Sequence, residues 1–428
     1  MRSTIPPLLA FVLLGASASA ITFTTDTAIP DGDATYDGQD VVVEGCTLTV
    51  NGSHTFASLA LLNGAVLTHS PFGDGANPVL RLDLAVSGDC LVDVSSRVNV
   101  NGRGYACLAG IAYGPGAGTG TRSDTNGGGG GGAYGGNGGA PESSYAGGRA
   151  YGSPCAPAHH GSAGGAGYAG QGGSGGGYVR LDVGGSLRLD GQVSANGVDG
   201  ASHSYGASGG GSGGGVWLTA NQLSGTGQIT ADGGRGHAVS EEDSGGGGGG
   251  RVAVHYRTSA FAGALSARGA AGGNIAARCG GAGSGFLMPL AENEGRMTIE
   301  KGGLAGVGTP RGNSEMVSAL VVSNRATLEL LGDVTLAVED EVIVGPQGTL
   351  LCRVTNNSAM VNDLWAGVGP TITSAVFRVE AEGLVTASGQ GYTGTTTAGN
   401  GPGGGTGTRN DTGGGGGGGG HGGRGGNP

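Results

Sequence analysis

The sequence predicts an all-β fold: a right-handed parallel β-helix, or solenoid, with glycine-rich loops stacked along one edge. Three observations predict it. One phrase recurs, as Gly191-Gln-Val-Ser-Ala-Asn-Gly197, Gly227-Gln-Ile-Thr-Ala-Asp-Gly233 and Gly263-Ala-Leu-Ser-Ala-Arg-Gly269, with a constant period of 36. A fixed period of this length marks a repeat architecture. The phrase is a short alternating strand closed by a glycine corner. Between the strand-like runs no segment shows the apolar pattern of a crossover helix, so stacked coils of parallel strands are the simplest arrangement.

The elements follow in order. Residues 1–20 read as a secretory signal peptide: Arg2 is the positive end, Pro7–Leu14 the apolar run, and Ala16-Ser-Ala-Ser-Ala20 the small-residue cleavage site. That run is too short to span a bilayer, and no later segment is apolar enough to cross one. Residues 21–101 carry N-terminal coils, with strand-like runs at Asp40–Val43, Thr47–Val50, Ser58–Leu62, Ala65–Thr68, Val79–Val86, Leu91–Val94 and Val98–Val100. Residues 102–177 form the first glycine-rich block, with six consecutive glycines at 127–132. Residues 178–290 hold the 36-residue coils, each with up to three short strands, for example Tyr178–Val183, Ser186–Leu189 and Gln192–Ala195, and one glycine block. Residues 291–388 form a second β-solenoid segment and 389–428 a second glycine-rich block.

The second half echoes the first. Ser388-Gly-Gln-Gly-Tyr392 lies on Asn101-Gly-Arg-Gly-Tyr105 and Thr408–Thr412 on Thr121–Thr125, both at an offset of 287. The last residue, Pro428, lies on Pro141, midway through the first block, so the chain reads as the truncated front part of a longer protein.

Composition narrows the function. Glycine is 103 of 428 residues, the charged fraction is 12% and the aromatic fraction 5%. Glycine this frequent usually signals low complexity, but here it is gathered into blocks between runs that can bury apolar surface. The net charge is −11 and Lys301 is the single lysine. A phosphate backbone or an anionic membrane needs clustered Lys and Arg, so neither is an expected partner. Six cysteines in an exported chain can form disulfides in fifteen ways. Cys107 and Cys155 bracket a glycine block and can staple it, or remain buried thiols.

Asn101, Asn196, Asp232, Arg268 and Ser388 each follow the same strand phrase, so all the blocks leave one kind of corner. The blocks are either disordered loops or an ordered layer of polyproline-II strands, which glycine alone lets approach backbone to backbone. The first block, being long enough to fold back on itself, is expected to order around Gly135–Gly139, and the shorter blocks to remain looser. Gly135-Gly-Asn-Gly-Gly-Ala-Pro141, near the six-glycine run, resembles the polyglycine-II domains of some receptor tyrosine kinase ectodomains and phage tail-tip adhesins. The strand phrases together with Ser388-Gly-Gln-Gly-Tyr392 resemble large bacterial secreted or surface β-helix proteins, many of them adhesin-like. The resemblance implies a secreted, extracellular or cell-surface structural protein, adhesive and without catalytic turnover. Its expected partners are extracellular glycans or other surface proteins. Tyr105, Tyr134, Tyr145, Tyr151, Tyr168 and Tyr205 would stack on sugars or on one another.

The rival class is a β-helix polysaccharide lyase or glycoside hydrolase, which needs converging carboxylates. Arg180 and Asp182 share one face of their strand, and with Arg188 and Asp190 they read as an ordinary solvent face. Asp31, Asp33, Asp37 and Asp40 are the densest acidic group, but Val42 stands where a twelve-residue calcium loop needs Glu. Cys155, His159 and His160 offer metal-ligand atoms as a single isolated group. Glu241–Asp243 reads as a solvated charge run. The Gly-x-Ser-x-Gly matches at Gly172–Gly176 and Gly206–Gly210 lack the strand–helix context of a nucleophile elbow. No catalytic residue, cofactor site or metal site is assigned.

Overall fold

The computed structural model describes residues 20–123, 127–141, 145–203, 206–239, 242–273, 278–292, 294–311, 317–393 and 399–404. Residues 1–19, within the stretch read as a signal peptide, together with Tyr205 and the stretch containing Thr408–Thr412, lie outside the described residues. The chain is all-β, with long, largely parallel sheets consistent with a parallel β-helix-like architecture. A 3-10 turn stands at Ala34–Tyr36, and among the described residues no helix is long and apolar enough to cross a membrane.

Two sheets organise the first part. A 15-stranded sheet runs through Ile21–Phe23, Asp40–Glu44, Ser58–Leu62, Cys90–Val92, Tyr178–Leu189, Gly215–Gly225 and Arg251–Phe261. A seven-stranded sheet runs through Thr27–Ile29, Thr47–Val50, Val66–Thr68, Arg97–Asn99, Gln192–Ser194, Gln228–Thr230 and Ala264–Ser266. Each passage of the chain contributes one or two strands to the first sheet and then one to the second. The 36-residue phrase sits in the second, where Val193 pairs with Ile229 and Ile229 with Leu265. The same row continues backward through Val98, Leu67 and Leu48. Those six positions form one aliphatic ladder, preceded on three of its strands by the more exposed Arg97, Gln192 and Gln228. Val193, Ile229, Val98, Leu67 and Leu48 are buried, and Leu265 packs half-buried against the same core.

Three points depart from the sequence reading. Tyr178–Val183 and Ser186–Leu189 are one strand, Tyr178–Leu189, with a register shift between Val183 and Ser186. Gly184 and Gly185 carry the chain through that shift, where a Cβ on Gly184 would lie 2.5 Å from the Ser87 carbonyl. Each 36-residue passage thus holds two strands of the main sheets, not three. Gly52–Phe56 is a strand the hydrophobic pattern hid. Its inward positions include His54, whose ring contacts Asp37 at 3.3 Å and the Asn51 carbonyl at 3.1 Å.

The chain reverses once in the long sheet. Ser284–Pro289 pairs antiparallel with Gly295–Glu300, and from there a second apolar core forms around Met297, Ile299, Leu320, Val342 and Leu350. A four-stranded sheet, Thr309–Arg311, Thr327–Leu330, Thr349–Cys352 and Leu384–Thr386, accompanies it. The 287-residue echo has a structural counterpart: Arg97–Asn99 and Leu384–Thr386 are strands, and Gly102 and Gly389 after them both turn in the left-handed region, at φ 63° and 68°.

Truncating the ladder tests its contribution. Ile229→Ala is expected to lower unfolding free energy by about 2–5 kcal/mol, because the fully buried site cannot collapse between two paired strands. Denaturant unfolding followed by far-ultraviolet circular dichroism measures it, and a loss below about 1 kcal/mol would contradict the buried placement.

Candidate functional site

Corners come first, because they aim the glycine blocks. The Asn101 side-chain oxygen accepts from the backbone N–H of Asn196 at 2.7 Å, Asn196 accepts from Asp232 at 2.7 Å, and Asp232 from Arg268 at 2.6 Å. In parallel, the Gly102 N–H donates to Asn196, Gly197 to Asp232 and Gly233 to Arg268. Four corners are thereby fixed in a row, and the blocks that follow leave side by side. Ser388 belongs to the other sheet and is not in this row.

The blocks form an ordered layer. Along Gly129–Ala133 successive N–H groups donate to Ala207, Thr119, Gly139, Gly210 and Gly116. The first and fourth therefore reach one neighbouring segment, and the second and fifth reach another. A bonding direction that recurs every third residue is that of a three-residue-per-turn polyproline-II strand, which has no internal hydrogen bonds and offers all its groups to neighbours. Ser208–Gly214 shows the full pattern. Ser208, Gly211 and Gly214 donate to Ala201, Val198 and Ala195; Gly209 and Ser212 donate to Gly165 and Ser162; Gly210 and Gly213 donate to Gly245 and Gly248. Its carbonyls accept from three further segments, through Gly132, through Gly173 and Gly176, and through Gly234. A rod with six bonded neighbours is hexagonally packed.

The expectation of loose shorter blocks is therefore corrected. Residues 206–215 and 243–250 are as buried as 127–136, because each supplies neighbours that the others need. Glycine is required here by space. A Cβ on Gly136 would overlap the carbonyls of Gly281 and Ala282, and one on Gly210 would overlap that of Gly234.

Aromatic and charged side chains seal the layer. Tyr134 is fully buried, its ring 4.9 Å from Tyr151, with the Arg251 guanidinium 5.6 Å from its centroid. Arg251 donates to the Tyr151 carbonyl at 3.0 Å. These tyrosine rings pack against each other at a tilt of 51°, and Tyr134 has no surface left for a sugar. Nearby, His160 stacks on Phe72 at 3.9 Å and meets His69 edge-on at 5.4 Å. His69 donates from Nδ1 to the Ser70 carbonyl at 2.7 Å and accepts at Nε2 from the Tyr178 N–H, a neutral-ring arrangement. Burial pushes His69 down to about 4 and His160 well below its ordinary value.

The remaining sequence candidates separate. Asp33 accepts from Thr35, Asp37 from Thr55 and Asp40 from Ser58, each for a local turn or strand contact. His159 lies beside Tyr134 and Tyr151 while His160 points into the Phe72 cluster, and Cys155 offers its carbonyl to His255. Among the described residues no group of three His, Cys, Asp or Glu is placed to hold a metal ion. No disulfide joins any of the six cysteines, so Cys107 and Cys155 do not staple the block. Asp243 departs from the solvated charge run: it is buried and pairs with buried Arg278 at 2.5 Å. No pattern within the glycine blocks announces that pair, because its partners are 35 residues apart. Arg180 lies 4.9 Å over the Trp217 ring and within 4.0 Å of Asp83, and Arg188 binds Asp190 at 2.6 Å.

Outside the layer, the turns that lead into the Arg97 row hold a polar cleft of about 320 Å³ lined by Ser95, Arg97, Asp190, Gln192, Thr226 and Gln228 among others. Arg97, Gln192 and Gln228 occupy paired positions on three successive strands. They form a row of amide and guanidinium groups at strand spacing, and the alternation of the phrase already implied their outward direction.

The chain matches no protein-family model, no curated protein and no solved structure.

Two measurements probe the layer. Gly136→Val is expected to lower the melting temperature while the β-sheet circular dichroism signal of the remaining native protein persists, and amides of residues 127–139 and 245–250 to exchange far more slowly than in a free peptide; free-peptide rates would exclude the lattice. Stability should be full above pH about 6.5, where unfolded histidines are neutral. It should fall as pH drops toward about 4, because the unfolded chain takes up protons that folded His69 and His160 refuse. His160→Phe should flatten that decline in thermal melts between pH 7.5 and 4.5.

Proposed function

We propose that this chain is an exported structural protein of a cell surface or extracellular matrix, adhesive and without catalytic turnover. In this reading the two long sheets are sides of one right-handed coil, with the glycine layer stacked along one edge. The handedness follows the near-universal rule for parallel crossovers. The observation that carries the proposal is the six-neighbour bonding of Ser208–Gly214. Glycine loses more backbone freedom than any other residue on ordering. A block that satisfies its backbone in three dimensions yields a stiff slab, which suits a structural or display role. The signal-like N-terminus supports export. The Ser95–Gln228 cleft supports a glycan partner, since a row of amides and a guanidinium can bond successive sugar hydroxyls.

Expression of the full chain in a secreting host tests the reading. The released protein is expected to begin at Ile21 and to bind extracellular polysaccharide, with Arg97→Ala combined with Gln228→Ala weakening binding by about tenfold, on the scale of one to two lost hydrogen bonds. Retention of the protein in the cytoplasm, or steady release of new sugar ends from the polysaccharide, would overturn it.

A further inference from the structure

The seven-stranded sheet stops at Ala264–Ser266, although the long sheet beside it continues into Ser284–Pro289. Ala264 donates to Gly227, and Ser266 accepts from Ala231. Alternate residues of a parallel strand bond to opposite sides, so the N–H and C=O of Leu265 face the other edge, where no strand pairs with it among the described residues. The sequence shows the same interruption. One period beyond Gly263 stands Ile299-Glu-Lys-Gly-Gly303, not a fourth copy of the phrase.

The core is also incomplete at this end. Inward valines run in register from Val179 through Val216 to Val252, and the next position is Gly285. A Cβ placed there would meet nothing closer than the Thr298 carbonyl at 3.9 Å. The missing strand and the missing side chain leave a cavity of about 210 Å³ lined by Leu265, Ala267, Gly285, Leu287, Thr298 and Glu300, with Ser266 and Gly283. Across it, Gly295–Glu300 turns Met297 and Ile299 away into the second core. At the rim, Glu300 is held by Arg268 at 2.8 Å.

We propose that this edge and cavity form a strand-acceptor site. It takes an extended segment of another polypeptide, aligned parallel to Ala264–Ser266, which places one aliphatic side chain in the cavity as the next member of the Val193–Ile229–Leu265 ladder. The open hydrogen-bonding edge and the hole lie at adjoining positions of one lattice, which defines the partner: an aliphatic residue followed by small ones, as in Ile229-Thr230-Ala231. Main-chain bonds supply attachment and the cavity supplies selectivity, the usual division in strand addition. The site is independent of the cellular location proposed above.

The test uses the full chain and a fluorescent peptide with the sequence of residues 226–233, Thr-Gly-Gln-Ile-Thr-Ala-Asp-Gly. Anisotropy titration is expected to show saturable binding, with a peptide carrying Asp in place of the isoleucine at least about tenfold weaker. Gly285→Ala and Gly285→Val fill the cavity stepwise. They should weaken binding in that order, the valine by about tenfold or more, while raising the melting temperature. Three results would each overturn the proposal: no saturable binding to the wild-type chain, equal binding of both peptides, or unchanged affinity in a folded Gly285→Val variant. Uptake of a small apolar dye without any peptide binding would assign the cavity to small molecules and overturn it as well.

Discussion

Every buried peptide group must find a partner, and in this protein long runs of nearly bare backbone are buried together. That constraint governs the glycine layer. With no side chains to satisfy, the segments bond in all directions around their axes. Ser208–Gly214 does so with six neighbours. The absence of Cβ atoms is what allows the approach, since a methyl group on Gly136 or Gly210 would overlap a neighbouring carbonyl. Each bond is worth only about 1 kcal/mol net, while ordering a residue costs roughly 1–2 kcal/mol. The layer therefore stands only where nearly every donor and acceptor is used, and where its strands are delivered already aligned.

Alignment comes from the sheets. The aliphatic ladder from Leu48 to Leu265 sets the spacing of the paired strands, and the corner side chains Asn101, Asn196 and Asp232 pass that spacing to the start of each block. Apolar burial, side-chain-to-backbone bonding and the glycine lattice thus act in series. Arg251, reaching from a sheet strand to the Tyr151 carbonyl and the Tyr134 ring, ties the two regions directly. The buried Asp243–Arg278 pair joins the glycine run at residues 243–250 to the segment that follows Arg268. Losing one partner of such a pair is costly because it strands a charge.

Much of the sheet region was legible in the chain. Gly-x-aliphatic-Ser/Thr-Ala-x-Gly states strand, inward residue and corner within seven letters, and its period supplies the register that pairs Val193 with Ile229. Less legible were features made by contacts across distance. Gly184-Gly185 reads as a break but is a bulge within one strand, because extended backbone can continue through glycine when a neighbour's carbonyl occupies the place of its side chain. His54 sits inward in a strand whose alternation is polar, so the hydrophobic pattern missed it. Order in the shorter blocks could not be read from any one of them, since length within a block was the wrong variable. What matters is how many other blocks surround it, as residues 245–250 show.

The row of corner residues also carries a consequence for inheritance. Asn101, Asn196 and Asp232 each present an acceptor oxygen to the next corner, whereas the side chain of Arg268, the last in the row, has only donors. The series consequently has a defined end, written in one codon. Duplicating a 36-residue unit ahead of Arg268 would preserve every bond in the row. A gain or loss of a few residues inside a unit would shift one corner out of line and misplace the block behind it. Such a gene can change in whole 36-residue units far more easily than in single residues.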